Sequence, residues 1–508
     1  MATPASEQTA GTGPAQLTPL SPGVFLPAAV AFLALVAFSG RYGWHTDELY
    51  FLEASKHMAW GYVDQPPFAV AIVWLARHLF GESLSGLRLF PALSDAGTVI
   101  LAGLIARELG GRRVGQVIAA ASVAAGPVFM ASSQIANTTP YDLTAWAAIT
   151  LLIVRIVRTD DQRLWLAVGA VLGLALLNNE TVLLLVGGVG VGLLLNGQGR
   201  LAWSPWMWAG ALLALAIWAP NLVWEARHAW PSVAMSKALR REHSGIGDSI
   251  AFVFEQLILP GWPVLLIWIP GLWALWREPR FRPYRWGAIG YAVMFVANDV
   301  VIGDRPYYLG GIYALLLAAG ACVLEEVLDR RRALFSRRQP RRALLWRSSP
   351  AVIGWIVVTA ILGSPAVLPV LPANALGKSA LLSSGNLGAE VGWLGLVATV
   401  GHVYRSVPVA ERPSVTIVTE DYGAAGAIAL YGSRFGLPPA YSGHNNYWYW
   451  GTPAPALGTA ILVGFTPSQL PTKAFRSIRQ VATFRNAAGV NNGEEGDLIW
   501  LATGQTIP

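Results

Sequence analysis

What most limits this chain is a succession of apolar runs, each near the length of a bilayer crossing, with the charges confined between them. Runs near 23–39, 88–106, 114–133, 142–157, 164–178, 181–196, 205–222, 251–275, 285–302, 307–326 and 350–371 predict a mainly α, polytopic membrane protein of about 11 transmembrane helices. The 508 residues are 54% hydrophobic and only 13% charged, whereas a soluble domain carries roughly twice that charged share. The net charge of +7 comes from arginines between the runs. No basic stripe is interleaved with stacking aromatics outside the spans, which argues against a nucleic-acid partner. Cys322, the one cysteine, lies inside an apolar run, so a disulfide within the chain is excluded and a thiol metal site disfavoured.

Arginine placement sets the expected topology. The stretch 67–80 reaches only ~21 Å as a helix, short of a hydrocarbon core of ~30 Å. If it lies along the interface, with Pro66-Pro67 as its start, the clusters around Arg107, Arg155, Arg200, Arg277 and Arg330 to Arg347 all share one side. The positive-inside rule makes that side cytoplasmic. Three regions are expected: a disordered cytoplasmic tail over 1–22, a membrane domain over 23–372 with a first outer loop at 41–87, and an extracytoplasmic α/β domain over 373–508. Strands are predicted at 415–419, 460–464 and 498–501, with a helix over 424–431.

The first outer loop concentrates the chemistry. Thr46 is placed to cap a helix running to Gly61, with Asp47 and Glu48 in its first turn, where backbone N–H groups favour ionised carboxylates. Such a carboxylate can take a proton from an acceptor hydroxyl, or it can merely complement the helix dipole; the residues alone leave both open. Asp64, before Gln65-Pro66-Pro67, reads as a cap or a site residue, and Asp142 as an N-cap or a membrane-edge acid. Arg305-Pro306-Tyr307-Tyr308 can grip a phosphate or belong to the aromatic belt. Lys237, Arg240 and Arg241 could take the same phosphate or form local pairs, as Arg88 could with Asp95 seven residues on. His45, Asp47, Glu48, His57 and Asp64 are conceivable ligands for a divalent cation, but the spacing matches no known metal motif and no Walker or dinucleotide loop is present.

The pair Asp47-Glu48 after the first span, followed by Gly61-Tyr62-Val63-Asp64-Gln65-Pro66-Pro67, resembles the family 39 glycosyltransferases, which include the protein O-mannosyltransferases; the lipid A aminoarabinose transferases share their fold. Thr139-Pro140-Tyr141-Asp142, Pro220-Asn221-Leu222-Val223-Trp224, Arg305-Pro306-Tyr307-Tyr308-Leu309 and the segment Tyr441 to Trp448 resemble further family motifs. The resemblance implies a GT-C membrane fold and a polyprenyl-phosphate sugar donor with no nucleotide sugar or required cofactor at the site. It also implies inversion at the anomeric carbon, with Asp47 as general base, Glu48 positioning the acceptor and Asp142 supporting the site. His45, Asp64, Lys237, Arg240, Arg305, Tyr307 and Tyr308 join them as candidate substrate-binding residues. Where bacterial relatives carry a lysine after the fifth span, this chain has Asn178-Asn179-Glu180, so Arg305 or the 237–241 cluster must supply the cation. The expected setting is a bacterial inner membrane, among membrane lipids, with an envelope acceptor. The competing reading is a transporter or flippase of a lipid-linked saccharide, which needs no base but is usually built from repeated halves; no such repeat is found.

Overall fold

A computed structural model describes residues 17–506 except 243–245, 303–304, 339–347, 380–381, 383–384 and 454–457. Asp304 and His243, both expected on the outer face, lie outside the described residues, as do positions 1–16 of the expected tail. The end of that tail is seated on the membrane domain: Ser21 N donates to Gln116 Oε1 at 2.7 Å, and the Thr18 carbonyl accepts from Arg107.

The helices run α1 (Phe25–Phe38), α2 (Thr46–Ala54), α3 (Phe68–Phe80), α4 (Leu84–Glu108), α5 (Arg113–Ala124), α6 (Pro127–Ser133), α7 (Thr139–Thr159), α8 (Leu164–Leu176), α9 (Val182–Leu195), α10 (Gly199–Ala202), α11 (Pro205–Arg227), α12 (Pro231–Glu242), α13 (Ile246–Ile258), α14 (Leu265–Arg277), α15 (Trp286–Ala297), α16 (Tyr313–Arg338) and α17 (Ser348–Val367). Among the described residues, 5 helices are long and apolar enough to cross a membrane, and a sixth span arises if α5 and α6, bent by 53°, count as one. The other apolar helices are shorter, so fewer helices than the expected eleven or so reach the length of a crossing. The run 251–275 is broken into α13 and α14 at Gly261, whose φ of +102° suits glycine.

Arginine-rich connections gather at one end of the bundle. Arg158 at the end of α7 pairs with Glu108 at the end of α4, and Arg112 pairs with Asp329 of α16. The α2 hairpin lies at the other end, beside the starts of α4 and α7. In between, an apolar core surrounds Trp146, Trp286 and Tyr313, none of which keeps any exposed surface. Helices meet through small residues, which let backbones approach closely: a methyl on Gly169 of α8 would overlap the Gly210 carbonyl of α11.

The C-terminal sheet has strands β1 (Thr416–Thr419), β2 (Ala440–Ser442), β3 (Ala460–Val463), β4 (Phe475–Thr483) and β5 (Leu498–Gln505), in the order β2-β1-β3-β5-β4. β1 is parallel to β2 and β3, while β5 is antiparallel to β3 and β4. This unit does not stand apart. Its Trp393, Leu396, Ile417 and Ala424 share one apolar core with Leu49, Tyr50, Tyr62 and Val70 of the hairpin region. The helix after β1, Tyr422–Tyr431, lies so close to α2 that a methyl on Gly423 would overlap Thr46 and one on Gly426 would overlap Leu49.

Gly169→Val should force α8 from α11. Overpacking of this kind costs about 1–3 kcal/mol, read as a lower melting temperature in detergent, whereas Gly187→Val, which meets open space, should leave it unchanged.

Candidate active site

The hairpin helix α2 is capped by His45, one residue earlier than expected, and it ends at Ala54 instead of reaching Gly61. His45 Nδ1 accepts from Asp47 N at 3.1 Å while Glu48 reaches back to His45 N at 2.8 Å, completing a capping box. The two adjacent acids then part company. Glu48 is fully buried, and Arg88 of α4 grips it with Nε to Oε1 at 2.8 Å and Nη2 to Oε2 at 2.7 Å. Glu48 Oε1 also accepts from Ala136 N at 2.9 Å. The remaining Arg88 donors go to the Ser39 and Gly43 carbonyls and to Glu390 Oε2 at 3.2 Å. All five guanidinium N–H groups thus have acceptors. Glu48 therefore corrects the sequence expectation: it faces no open space in which to position an acceptor, and instead fixes the hairpin. Arg88 is likewise not Asp95's partner; both Asp95 oxygens are buried without a hydrogen bond.

Asp47 points the other way and stays partly open. Its Oδ2 accepts from Asn137 Nδ2 at 3.3 Å and its Oδ1 from the Tyr422 hydroxyl at 3.0 Å, with His45 Nδ1 3.8 Å away. Asp64 is brought beside it. The Tyr50 hydroxyl donates to Asp64 Oδ1 at 2.8 Å and Asn445 Nδ2 to Oδ2 at 3.2 Å. Burial pushes the Asp64 carboxyl up to about 7; the Tyr50 bond opposes the rise and the nearby Asp47 charge adds to it. Around both acids stands an aromatic wall, with Tyr50 lying 5.1 Å from Tyr422 and 5.7 Å from Trp450, ring to ring. His57, entertained above as a metal ligand, stacks on Trp450 at 4.9 Å. With Glu48 consumed by Arg88, the five candidate ligands do not form one set.

Sequence reasoning missed Tyr422, Asn445, Arg88 and Glu390 as parts of this site. Only the Tyr441–Trp448 segment carried a signal, and only by resemblance. Its Asn446 accepts from Val63 N at 2.6 Å, and Asn445 adopts φ +48°, a left-handed conformation that asparagine tolerates.

At the edge of the bundle, Asp142 sits in the first turn of α7, is bonded by Thr181 at 3.0 Å, and has its other oxygen buried and unpartnered. Asn178 and Asn179 bind Thr138 at 2.8 and 3.2 Å, joining the 178–180 loop to the one holding Asn137. Arg305 caps the short helix Pro306–Ile312, its carbonyl bound by Asn298; Tyr307 is exposed and stacks edge-on with half-buried Tyr308 at 4.9 Å. Lys237 and Arg240 of α12 line a cleft of about 400 Å³ together with Glu180 and Glu225; neither Asp47 nor Asp64 lines it.

Arg88→Met leaves two buried carboxylates facing each other without their cation, so a loss of about 3–5 kcal/mol is expected. Detergent melting and monodispersity on size exclusion check it; an unchanged melting temperature would mean the clamp holds nothing. Asp64 makes a pH prediction. Its raised value means that ionising it costs more in the folded state, so its contribution is fully present below about 4 and fades as pH climbs to about 7. The melting temperature of the wild type relative to Asp64→Asn should fall across that window, and a constant difference would contradict it.

Residues 64–224 match the family described as dolichyl-phosphate-mannose-protein mannosyltransferase, a stretch that begins at Asp64 and leaves Asp47 just outside. No curated protein matches the chain in sequence. Among solved structures, ArnT from Cupriavidus metallidurans in the apo state superposes with a TM-score of 0.61 at 18% identity, covering 94% of this chain and 97% of that one. The same protein bound to undecaprenyl phosphate gives 0.59 at 16% identity with equal coverage. The chain is therefore similar to the family 39 glycosyltransferases in the segment that follows its acidic hairpin, and it has the GT-C membrane fold of ArnT over nearly all of its length.

Proposed function

We propose that the protein is an inverting membrane glycosyltransferase that moves a hexosyl or pentosyl group from a polyprenyl-phosphate donor to an acceptor hydroxyl of the cell envelope, on the extracytoplasmic face. The observation that carries this reading is the split between the two hairpin acids. One carboxylate, Glu48, is saturated and buried, and its neighbour Asp47 is oriented by Asn137 and Tyr422 yet keeps an open face. A base needs that combination of fixed direction and free access.

In the proposed reaction the acceptor oxygen attacks the anomeric carbon as its proton passes to Asp47. The bond from that carbon to the phosphate oxygen breaks on the opposite face, and the lipid phosphate leaves with the electron pair. The developing charge on the phosphate calls for cations or hydrogen-bond donors, for which Arg305, Lys237 and Arg240 are the candidates at this end of the bundle. Asp64, held near neutrality, and Asp142 are proposed to contact substrate through their protonatable oxygens, and Tyr307 and Tyr308 to line the lipid approach. ArnT bound to undecaprenyl phosphate supports a carrier lipid of that class. The arginine-rich end of the bundle supports an inner-membrane orientation with the N-terminus in the cytoplasm and the C-terminal unit outside.

Asp47→Asn should lower transfer of radiolabelled sugar in proteoliposomes by at least about 100-fold while melting temperature and yield stay at wild-type values. Turnover near that of the wild type would remove Asp47 from the mechanism.

A further inference from the structure

Two helices that follow each other in the chain, α8 and α9, are tied to different neighbours. α8 meets α11 through glycines: a methyl on Gly173 would overlap Ile217, as one on Gly169 would overlap Gly210. α9 meets α15 in the same way, since a methyl on Gly192 would overlap the Trp286 carbonyl and one on Gly188 the Met294 side chain. Contacts this close commit each helix to its own partner, and the space between the two stays open. It is a cavity of about 290 Å³ with walls from α7, α8, α9 and α11, including Ile153, Val168, Leu172, Val189 and Trp208. No charged residue lines it.

The cavity lies at the arginine-rich end of the bundle, among the first turns of α8 and α11 and the last turns of α9, and neither Asp47 nor Asp64 lines it. Arg163 precedes α8 and Arg200 lies in α10, just after α9. Arg200 joins the two connections by pairing with Asp160 at 2.7 Å. Asn196, at the end of α9, donates to the Arg282 carbonyl at 3.2 Å, which brings a third arginine to the same end. Against Asp160 and Asp161 thus stand Arg163, Arg200 and Arg282.

Two observations say what fills this space. An apolar void stays dry, and its walls forfeit dispersion contacts on the empty side, so hydrocarbon is the filler that a bilayer offers. Hydrocarbon alone does not suffice. Trp165, the second residue of α8, lines the cavity and is 8% exposed; its indole N–H is buried and, among the described residues, has no acceptor. A buried donor left unmatched is costly. An ester carbonyl just below a lipid headgroup can accept that bond, whereas the tail of a polyprenyl phosphate carries no oxygen. Trp203 and Trp208, both exposed and with rings 5.9 Å apart, also line the cavity, and indoles favour the membrane–water boundary.

We propose that the cavity between α8 and α9 binds an acyl chain of an anionic glycerophospholipid from the leaflet at the arginine-rich end. The chain packs on Val168, Leu172 and Val189, an ester oxygen accepts from Trp165 Nε1, and Arg163 and Arg200 attract the phosphate. The lipid fills the gap between two helices that their glycine contacts keep apart.

Native mass spectrometry of the full chain, released from nanodiscs of phosphatidylglycerol and phosphatidylcholine in equal parts, tests this. One phosphatidylglycerol should be retained over phosphatidylcholine by at least about 10-fold. Gly190→Phe, which adds a ring at the cavity wall, should remove that lipid. Gly187→Phe, which meets open space on the same helix without lining the cavity, should keep it. Arg163→Gln with Arg200→Gln should abolish the preference between the two lipids, and Trp165→Phe should weaken retention of both. If Gly190→Phe fails to fold, the arginine pair and Trp165→Phe decide. Equal retention of the two lipids by the wild type, or a phosphatidylglycerol that survives Gly190→Phe, overturns the site. So does displacement of the lipid by equimolar undecaprenyl phosphate, which would make the filler a polyprenyl tail. A lipid-free dimer that Gly190→Phe splits would overturn it too, by making the filler a second copy of the chain.

Discussion

The arrangement hangs on one guanidinium. Arg88 enters from α4 and takes the carboxylate of Glu48, the carbonyls of Ser39 and Gly43, and the carboxylate of Glu390. Those acceptors belong to the end of the first helix, the hairpin and the segment that leads into the C-terminal sheet. A buried charge is tolerable only when its hydrogen-bonding capacity is met, and here one cation makes three parts of the chain mutually dependent. Because Glu48 is immobile, its neighbour Asp47 inherits a fixed direction without contributing to the clamp.

The C-terminal unit is part of the same construction. Tyr422 follows β1 and reaches Asp47, while Asn445 and Asn446 follow β2 and reach Asp64 and Val63. Both come from the carboxyl ends of parallel strands, the edge at which open α/β sheets place their ligand-facing loops. The shared apolar core beneath them, with Trp393 and Ala424 against Leu49 and Tyr50, keeps those loops from swinging away. The hairpin region thus supplies the acids, and the C-terminal unit supplies the hydroxyl and amide groups that aim them.

Much of this was legible in the sequence, for physical reasons that can be named. Long apolar runs locate the bundle because each helix must bury or present a continuous apolar surface, and Asp47 stood out because an acid at a membrane edge is costly. Glu48 was misread because a first-turn acid looks the same whether it faces water or an arginine 40 residues away. Arg88 and Glu390 were invisible as a pair for the same reason: tertiary proximity leaves no local pattern. β2 escaped notice as a strand of 3 residues, and β4 because none of it is buried and it carries Arg476 and Arg479 in place of alternating apolar residues. The break at Gly261 was within reach, since Pro260-Gly261 is a turn signal that the surrounding hydrophobicity masked.

Under the proposed function, the open face of Asp47 looks onto the reacting sugar. An electron cryomicroscopy structure of the Asp47→Asn protein in nanodiscs, loaded with a glycosyl undecaprenyl phosphate, tests it most directly. The sugar ring should lie at the hairpin end of the bundle, its anomeric carbon turned toward position 47 with room for an acceptor oxygen between them. A headgroup resting at the opposite end, among Arg112, Arg158 and Arg200, would contradict it.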